Sequence, residues 1–167
     1  MIFTIPVGNP NPLQMNSAAA FGIGAAGVIA TSLGGSYYTS KTVRSDWYDC
    51  IRPVIAPPRI VFPIVWTTLY IVLAIAIGIS LRDADSTTVA LLHGLNLLLN
   101  VYWCKLYFAD KRVVAAFVVL LVNLAAAVAI AFLTRSRVVG YLFIPYIAWL
   151  AFASVLNGAS ISKAAAC

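Results

Sequence analysis

The chain has 167 residues, 62% of them hydrophobic and 10% charged, with a net charge of +6 and a mean hydropathy of +0.95. A soluble domain cannot hide that share of apolar side chains, and in so apolar a chain a basic excess is a topology signal before it is a nucleic-acid signal. Charge-free runs cover Met1–Ser40, Ile60–Leu81, Ser86–Cys104, Val113–Thr134 and Val138–Ser162. Crossing a bilayer core takes roughly 20 helical residues, so each run supplies one span, the first being longer with a proline-broken lead-in. The runs are continuously apolar rather than alternating, which excludes a membrane β-barrel. The expectation is an all-α membrane protein, a single-domain five-transmembrane-helix bundle whose first partner is the lipid bilayer.

In chain order, residues 1–16 read "MIFTIPVGNPNPLQMN", with three prolines, and form an irregular N-terminal lead-in. They lack the basic start of a secretory signal and any arginine-rich transit pattern, so targeting is expected to lie within the helices. The first helix is expected over about 17–38. Its Ala20 and Gly24, and Ala26 and Ala30, are small residues at four-residue spacing, suited to packing inside the bundle or to a homodimer seam. The fourth helix repeats the theme with Ala125, Ala126, Ala127, Ala129 and Ala131.

Between the first two helices, Thr39–Arg59 is too polar for a span and too long for a simple turn. Trp47, Tyr48, Arg52, Pro53, Pro57, Pro58 and Arg59 suit an ordered lid. The second helix, about 60–81, carries Phe62, Trp66 and Tyr70 at four-residue steps on one face. The third, about 87–107, stacks His93, Asn96, Asn100, Trp103 and Tyr107 on one face, with leucines over most of the rest. Lipid offers an amide no partner, so this stripe faces protein or a cavity. An inter-helix hydrogen-bond seam, at roughly 0.6–2 kcal/mol per bond, and a cavity lining are both open. The fourth helix spans about 113–134. The fifth, about 138–160, aligns Tyr146, Trp149, Ala153 and Leu156, with Pro145 removing a backbone donor and kinking the helix. Residues 163–167 form a short tail.

Basic residues divide unevenly between the two sides of such a bundle. Arg82, Arg135 and Arg137 fall on one; Lys41, Arg44, Arg52, Arg59, Lys105, Lys111, Arg112 and Lys163 fall on the other. The positive-inside rule puts the first loop and the C-terminus in the cytoplasm. Cys50, Cys104 and Cys167 have no metal-ligand spacing and a single histidine, so they read as isolated thiols and no metal site is expected. The five acids lie in loops, with no nucleophile–base pair, so ordinary acid–base catalysis is not expected. Aromatic stripes on three helices with a few polar groups suit a large, rigid, hydrophobic ligand.

Three blocks then carry a family resemblance. "WYDCIRPVIAPPRIVFPIVWTTLY" resembles the first loop and second helix of the TspO/MBR family, the translocator proteins and tryptophan-rich sensory proteins. "LNVYWCKLYF" is similar to its third helix and "IPYIAWLAFASVLN" to its fifth, in the right order from roughly Gly34 to Asn157. The resemblance implies a five-helix bundle, often dimeric, binding tetrapyrroles, cholesterol or benzodiazepine-type ligands in a cavity capped by the first loop. By position it implies a ligand site at Trp66, Tyr70, Asn100, Trp103, Trp149, Ala153 and Leu156, to which the aromatic stripes add Phe62 and Tyr146. A porphyrin or haem-type tetrapyrrole is the implied ligand, with no cofactor required, and Arg52 or Arg59 suits its carboxylates. Sterol or lipid binding and passive delivery is the alternative. A further one is light-dependent porphyrin breakdown at Trp66 and Trp149. The implied location is the mitochondrial outer membrane or another endomembrane in a eukaryote, and the cell envelope in a bacterium. The chain departs from the family at Ile55 and Ile60, where loop tryptophans are usual, and at Arg52, where lysine is. It departs again at Val119, where many members carry an acid that leaves Asn123 a turn on, and at Gly158, where a sterol-contact motif needs tyrosine.

Overall fold

A computed structural model describes residues 15–167. Most of the lead-in therefore lies outside the described residues. The rest forms six helices, with no strand among the described residues: α1 (Ser17–Ser40), α2 (Asp46–Ile51), α3 (Val61–Arg82), α4 (Thr87–Cys104), α5 (Val113–Leu133) and α6 (Arg137–Ala164). Five are long and apolar enough to cross a membrane, and the chain is an integral membrane protein. α2 is too short and lies inside the first loop.

Short polar side chains start most of these helices by accepting the orphan amide hydrogens of the first turn. Asn16 accepts from the Ala19 N–H at 2.8 Å, Ser86 from Val89 at 3.2 Å, and Ser45 and Ser136 do the same for α2 and α6. α3 has no side-chain cap; the Pro57–Pro58 pair delivers the chain into it, and the Val61 N–H donates to the Pro58 carbonyl at 2.9 Å. α4 ends in a π-helical turn over Lys105–Ala109, which places Leu106, Tyr107 and Phe108 in succession in the interior. Such turns recur at functional sites. α6 runs through Pro145 without a break and continues to Ala164, past its expected end.

The spans close into a ring: α1 packs on α3 and α4, α3 on α6, α6 on α5, and α5 on α4. Small residues set the closest approach. A Cβ on Gly24 would lie 2.6 Å from the Ala74 carbonyl oxygen of α3, so only glycine fits there. Ala20 and Gly24 are thus used inside the bundle, whereas Ala26 and Ala30 face outward. The core joins Leu69, Leu73 and Ala76 of α3 to Leu120, Ala127 and Ile130 of α5 and to Phe143, Tyr146 and Leu150 of α6.

The first loop carries α2, docked by the buried Tyr48 and Ile51 against Leu106, Phe108, Val113 and Ala116. One expectation needs correction. The cysteines are not all isolated: Cys50 of α2 and Cys167 of the tail form a disulfide, and only Cys104 is free. Sequence spacing is blind to that pair because 117 residues separate them.

Candidate functional site

The polar stripe of α4 divides in two. In its first half each polar side chain hydrogen-bonds to protein. His93 shares a hydrogen bond with Ser80 at 3.2 Å. Asn96 donates to Asn123 at 2.7 Å, and Asn100 donates to the Tyr146 hydroxyl at 2.7 Å and to the Asn96 carbonyl at 3.0 Å. The Tyr146 hydroxyl in turn donates to Asn96 Oδ1 at 2.9 Å and accepts weakly from Asn123 at 3.4 Å. Membrane interiors demand this closure, since an amide left there without a partner costs about 2–7 kcal/mol. This half is a seam joining α4, α5 and α6.

The second half of the stripe faces a cavity of about 530 Å³ at the lid end of the bundle. That size lies within the range of roughly 300–1,000 Å³ typical of small-molecule sites. α3 supplies Phe62, Pro63, Trp66, Thr67 and Tyr70 to its wall; α4 and its π turn supply Trp103, Cys104, Tyr107 and Phe108. α6 closes it with Ala153, Leu156 and Asn157, and α1 with Ser32, Gly35, Ser36 and Thr39. Tyr48, Pro53, Ala56, Arg59 and Ile60 cover it from the lid, with Val43 and Arg44 at the edge.

The aromatic wall is braced. Trp103 and Tyr107 stack at 5.3 Å between ring centres, and Trp66 leans on Tyr70 at 5.4 Å. The Trp103 indole N–H donates to Asn157 Oδ1 at 3.0 Å, Asn157 donates on to the Val113 carbonyl at 3.0 Å, and Tyr107 shares a hydrogen bond with Ser160 at 2.9 Å. With their polar tips tied to α6, Trp103 and Tyr107 present fixed apolar faces to the cavity.

The expected site residues distribute as follows. Phe62, Trp66, Tyr70, Trp103, Ala153 and Leu156 line the cavity. Asn100 and Tyr146 do not; they belong to the seam. Trp149 sits behind the wall, 5.8 Å from the Phe62 ring and 6.5 Å from Trp66, its buried indole N–H without a hydrogen-bond partner among the described residues. From the lid, Tyr48, Pro53 and Arg59 reach the cavity, whereas Trp47, Pro57 and Pro58 do not. Trp47 packs on Tyr107 from outside, with the Lys111 ammonium 5.1 Å above its ring.

Arg52 is also outside the wall. Its guanidinium donates to the Ala56 and Pro57 carbonyls at 3.3 and 2.6 Å, so it staples the lid's own backbone instead of facing a ligand. Arg59 pairs with Asp49 and lies 5.7 Å from the Tyr48 ring. Burial pushes the Tyr48 phenol above its ordinary range, against the charges of Arg52 and Arg59, which hold it down. Arg44 and Arg59 are the charged residues of the wall, and it contains no acid. Arg44 takes part in none of the ion pairs among the described residues. Periodicity and motif spacing single out neither Arg44 nor the α1 face, where hydroxyls at Ser32, Ser36 and Thr39 recur at helical spacing. Among the described residues no cluster of His, Cys, Asp or Glu suits a metal.

Comparison with known proteins agrees with this architecture. The sequence pattern of the TspO/MBR family matches residues 22–162. The chain is 33% identical over 115 residues to the tryptophan-rich sensory protein of Cereibacter sphaeroides, covering 67% of this chain and 73% of that one. It is 31% identical over 135 residues to the tryptophan-rich protein TspO of Chlorobaculum tepidum, covering 77% and 85%. It is 33% identical over 133 residues to the translocator protein of Bos taurus, covering 75% and 78%.

Proposed function

Because the chain belongs to the TspO/MBR family, we propose that its cavity binds a rigid, flat, hydrophobic ligand of the tetrapyrrole class. The observation that carries this reading is the cavity's composition. Trp66, Tyr70, Trp103 and Tyr107 give it broad aromatic faces, and its charged wall residues are both arginines. A porphyrin matches both halves, with an apolar macrocycle for the rings and carboxylates for guanidinium groups at the rim. Of the two arginines, Arg59 already holds Asp49, so Arg44 is the residue assigned to the ligand's carboxylates. A sterol would use the aromatic wall and leave Arg44 idle.

The test is a titration of the purified, reconstituted protein with protoporphyrin and with its dimethyl ester, read by quenching of tryptophan fluorescence. The free acid is expected to bind more tightly than the ester. Arg44→Gln brings the acid down to the ester's affinity, and Trp66→Phe weakens both. Equal binding of acid and ester would remove the role of Arg44, and absence of quenching by either would remove the tetrapyrrole reading.

Orientation follows from charge in the same proposal. Eight basic residues flank the lid end and three the other, so the lid and C-terminal tail face the cytoplasm. A protease added to the cytoplasmic side of sealed membranes is then expected to clip the tail; full protection reverses the orientation.

A further inference from the structure

The Cys50–Cys167 disulfide is the one covalent link between the lid and the membrane-spanning bundle, apart from the chain itself. Cys50 lies in α2, two residues after Tyr48 and three before Pro53, both of which cover the cavity. Cys167 lies just past α6, five residues beyond the segment that matches the family pattern. Both cysteines are exposed.

Around this bond the lid's other fastenings are noncovalent: Tyr48 and Ile51 of α2 are buried against Leu106, Phe108, Val113 and Ala116. The Lys163 ammonium at the end of α6 donates to the Arg52 carbonyl at 2.9 Å. Ile51 is fully buried, and Ile161 and Ala164 of α6 pack against the cluster that holds it. Beyond Arg52 the lid is held to itself by the arginine staple and the Arg59–Asp49 pair, neither of which reaches a membrane span. The disulfide adds to this packing a limit on how far α2 lifts off α6, because a covalent tie keeps the two surfaces at high effective concentration after the noncovalent contacts open.

We infer that the Cys50–Cys167 bond is a thiol-reversible clasp on the lid that sets how fast a ligand enters and leaves the cavity. This rests on the ligand-binding reading above. Its chemistry is thiol–disulfide exchange with a small-molecule thiol of the glutathione class. One thiolate attacks one sulfur of the bond and forms a mixed disulfide, releasing the other cysteine as a thiolate that takes up a proton. A second thiolate then attacks the mixed disulfide, which frees the remaining cysteine and leaves the reductant as its own disulfide. Two electrons and two protons arrive on the protein. The basic bias of the lid end supports reversibility. On a cytoplasmic face, where thiols are kept reduced, an exposed disulfide is a transient or sensing device rather than a permanent brace.

The experiment uses the full chain in lipid nanodiscs, first oxidised and then treated with reduced glutathione. Free-thiol labelling reports the state of the bond, and stopped-flow tryptophan quenching reports protoporphyrin association and dissociation. Reduction is expected to raise both rates several-fold. Cys167→Ser and Cys50→Ser, at positions outside the cavity wall, are each expected to behave as the reduced protein and to ignore glutathione. Hydrogen exchange across residues 46–59 is expected to speed up on reduction whether or not porphyrin is present. Three labelled thiols before reduction would overturn the clasp, as would rates and exchange that are identical in the two states. A change in exchange without porphyrin binding would retain the clasp and sink the ligand reading instead.

Discussion

At the end of the bundle away from the lid, the connections are locked by hydrogen bonds gathered on one buried acid. Asp85 is buried and accepts from the Thr134 hydroxyl at 2.5 Å, from the Arg135 N–H at 3.3 Å and from the Ser86 N–H at 2.9 Å, tying the α3–α4 turn to the α5–α6 turn. Gly24 brings α1 against α3 there, and His93 and Ser80 join α3 to α4. The lid end has aromatic rings braced from behind, two arginines on its wall and a cavity between them. Polar groups that satisfy one another carry stability, whereas faces held open beside a cavity carry recognition. The contrast predicts that substitutions at the closed end change stability and leave ligand affinity alone.

The largest expected effect is at Gly24. Gly24→Leu forces α1 away from the Ala74 carbonyl, and overpacking at a rigid backbone contact costs about 3 kcal/mol or more. Thermal unfolding in detergent should show a large loss of stability, or no folded protein. A stable Gly24→Leu variant would mean that α1 and α3 are not closely packed.

Next is the seam. Tyr146→Phe removes a hydroxyl that serves three asparagines and leaves Asn96 Oδ1 and Asn123 Nδ2 short of partners. The cost is about 2 kcal/mol. Because Tyr146 does not line the cavity, protoporphyrin affinity should be unchanged once the protein is folded. Pairing it with Asn96→Ala should give a loss smaller than the sum, since both act in one network. A loss of affinity in Tyr146→Phe would break the division between seam and cavity.

Much of this was legible in the sequence, and the rest failed for definable reasons. Five spans follow from charge-free runs, because lipid punishes charge whatever the tertiary packing. The α3 stripe could be read from periodicity, as Phe62, Trp66 and Tyr70 lie on one helical face. On α4 the same periodicity could not say where the seam ended and the cavity began; that depends on Asn123 and Tyr146, contributed by other helices. The α1 wall was hidden because small residues and hydroxyls give no hydrophobic contrast. Arg44 and Arg52 look alike in sequence, and only the fold shows that one faces the cavity while the other binds carbonyls of its own loop. The two positions that lack the loop tryptophans differ in one respect: Ile60 lines the cavity and Ile55 does not, although both are more than half exposed.

The smallest expected effects come from two acids two residues apart. Asp85→Asn keeps the shape but weakens bonds made to a charge, and should cost about 1 kcal/mol. Asp83 is exposed, and its hydrogen bond from Arg82, at 2.6 Å, holds its carboxyl below the usual range. A depressed carboxyl stabilises the fold above its unfolded pKa of about 3.9 and loses that contribution as pH falls through the lower, folded value. The loss therefore lies in the acid range and leaves neutral pH untouched. Solvent and salt screen a pair this exposed, so Asp83→Asn should barely shift the unfolding midpoint at neutral pH, and any shift should vanish in high salt. Equal effects at the two positions would mean that the Asp85 connections to Thr134 and Arg135 do not hold the closed end together.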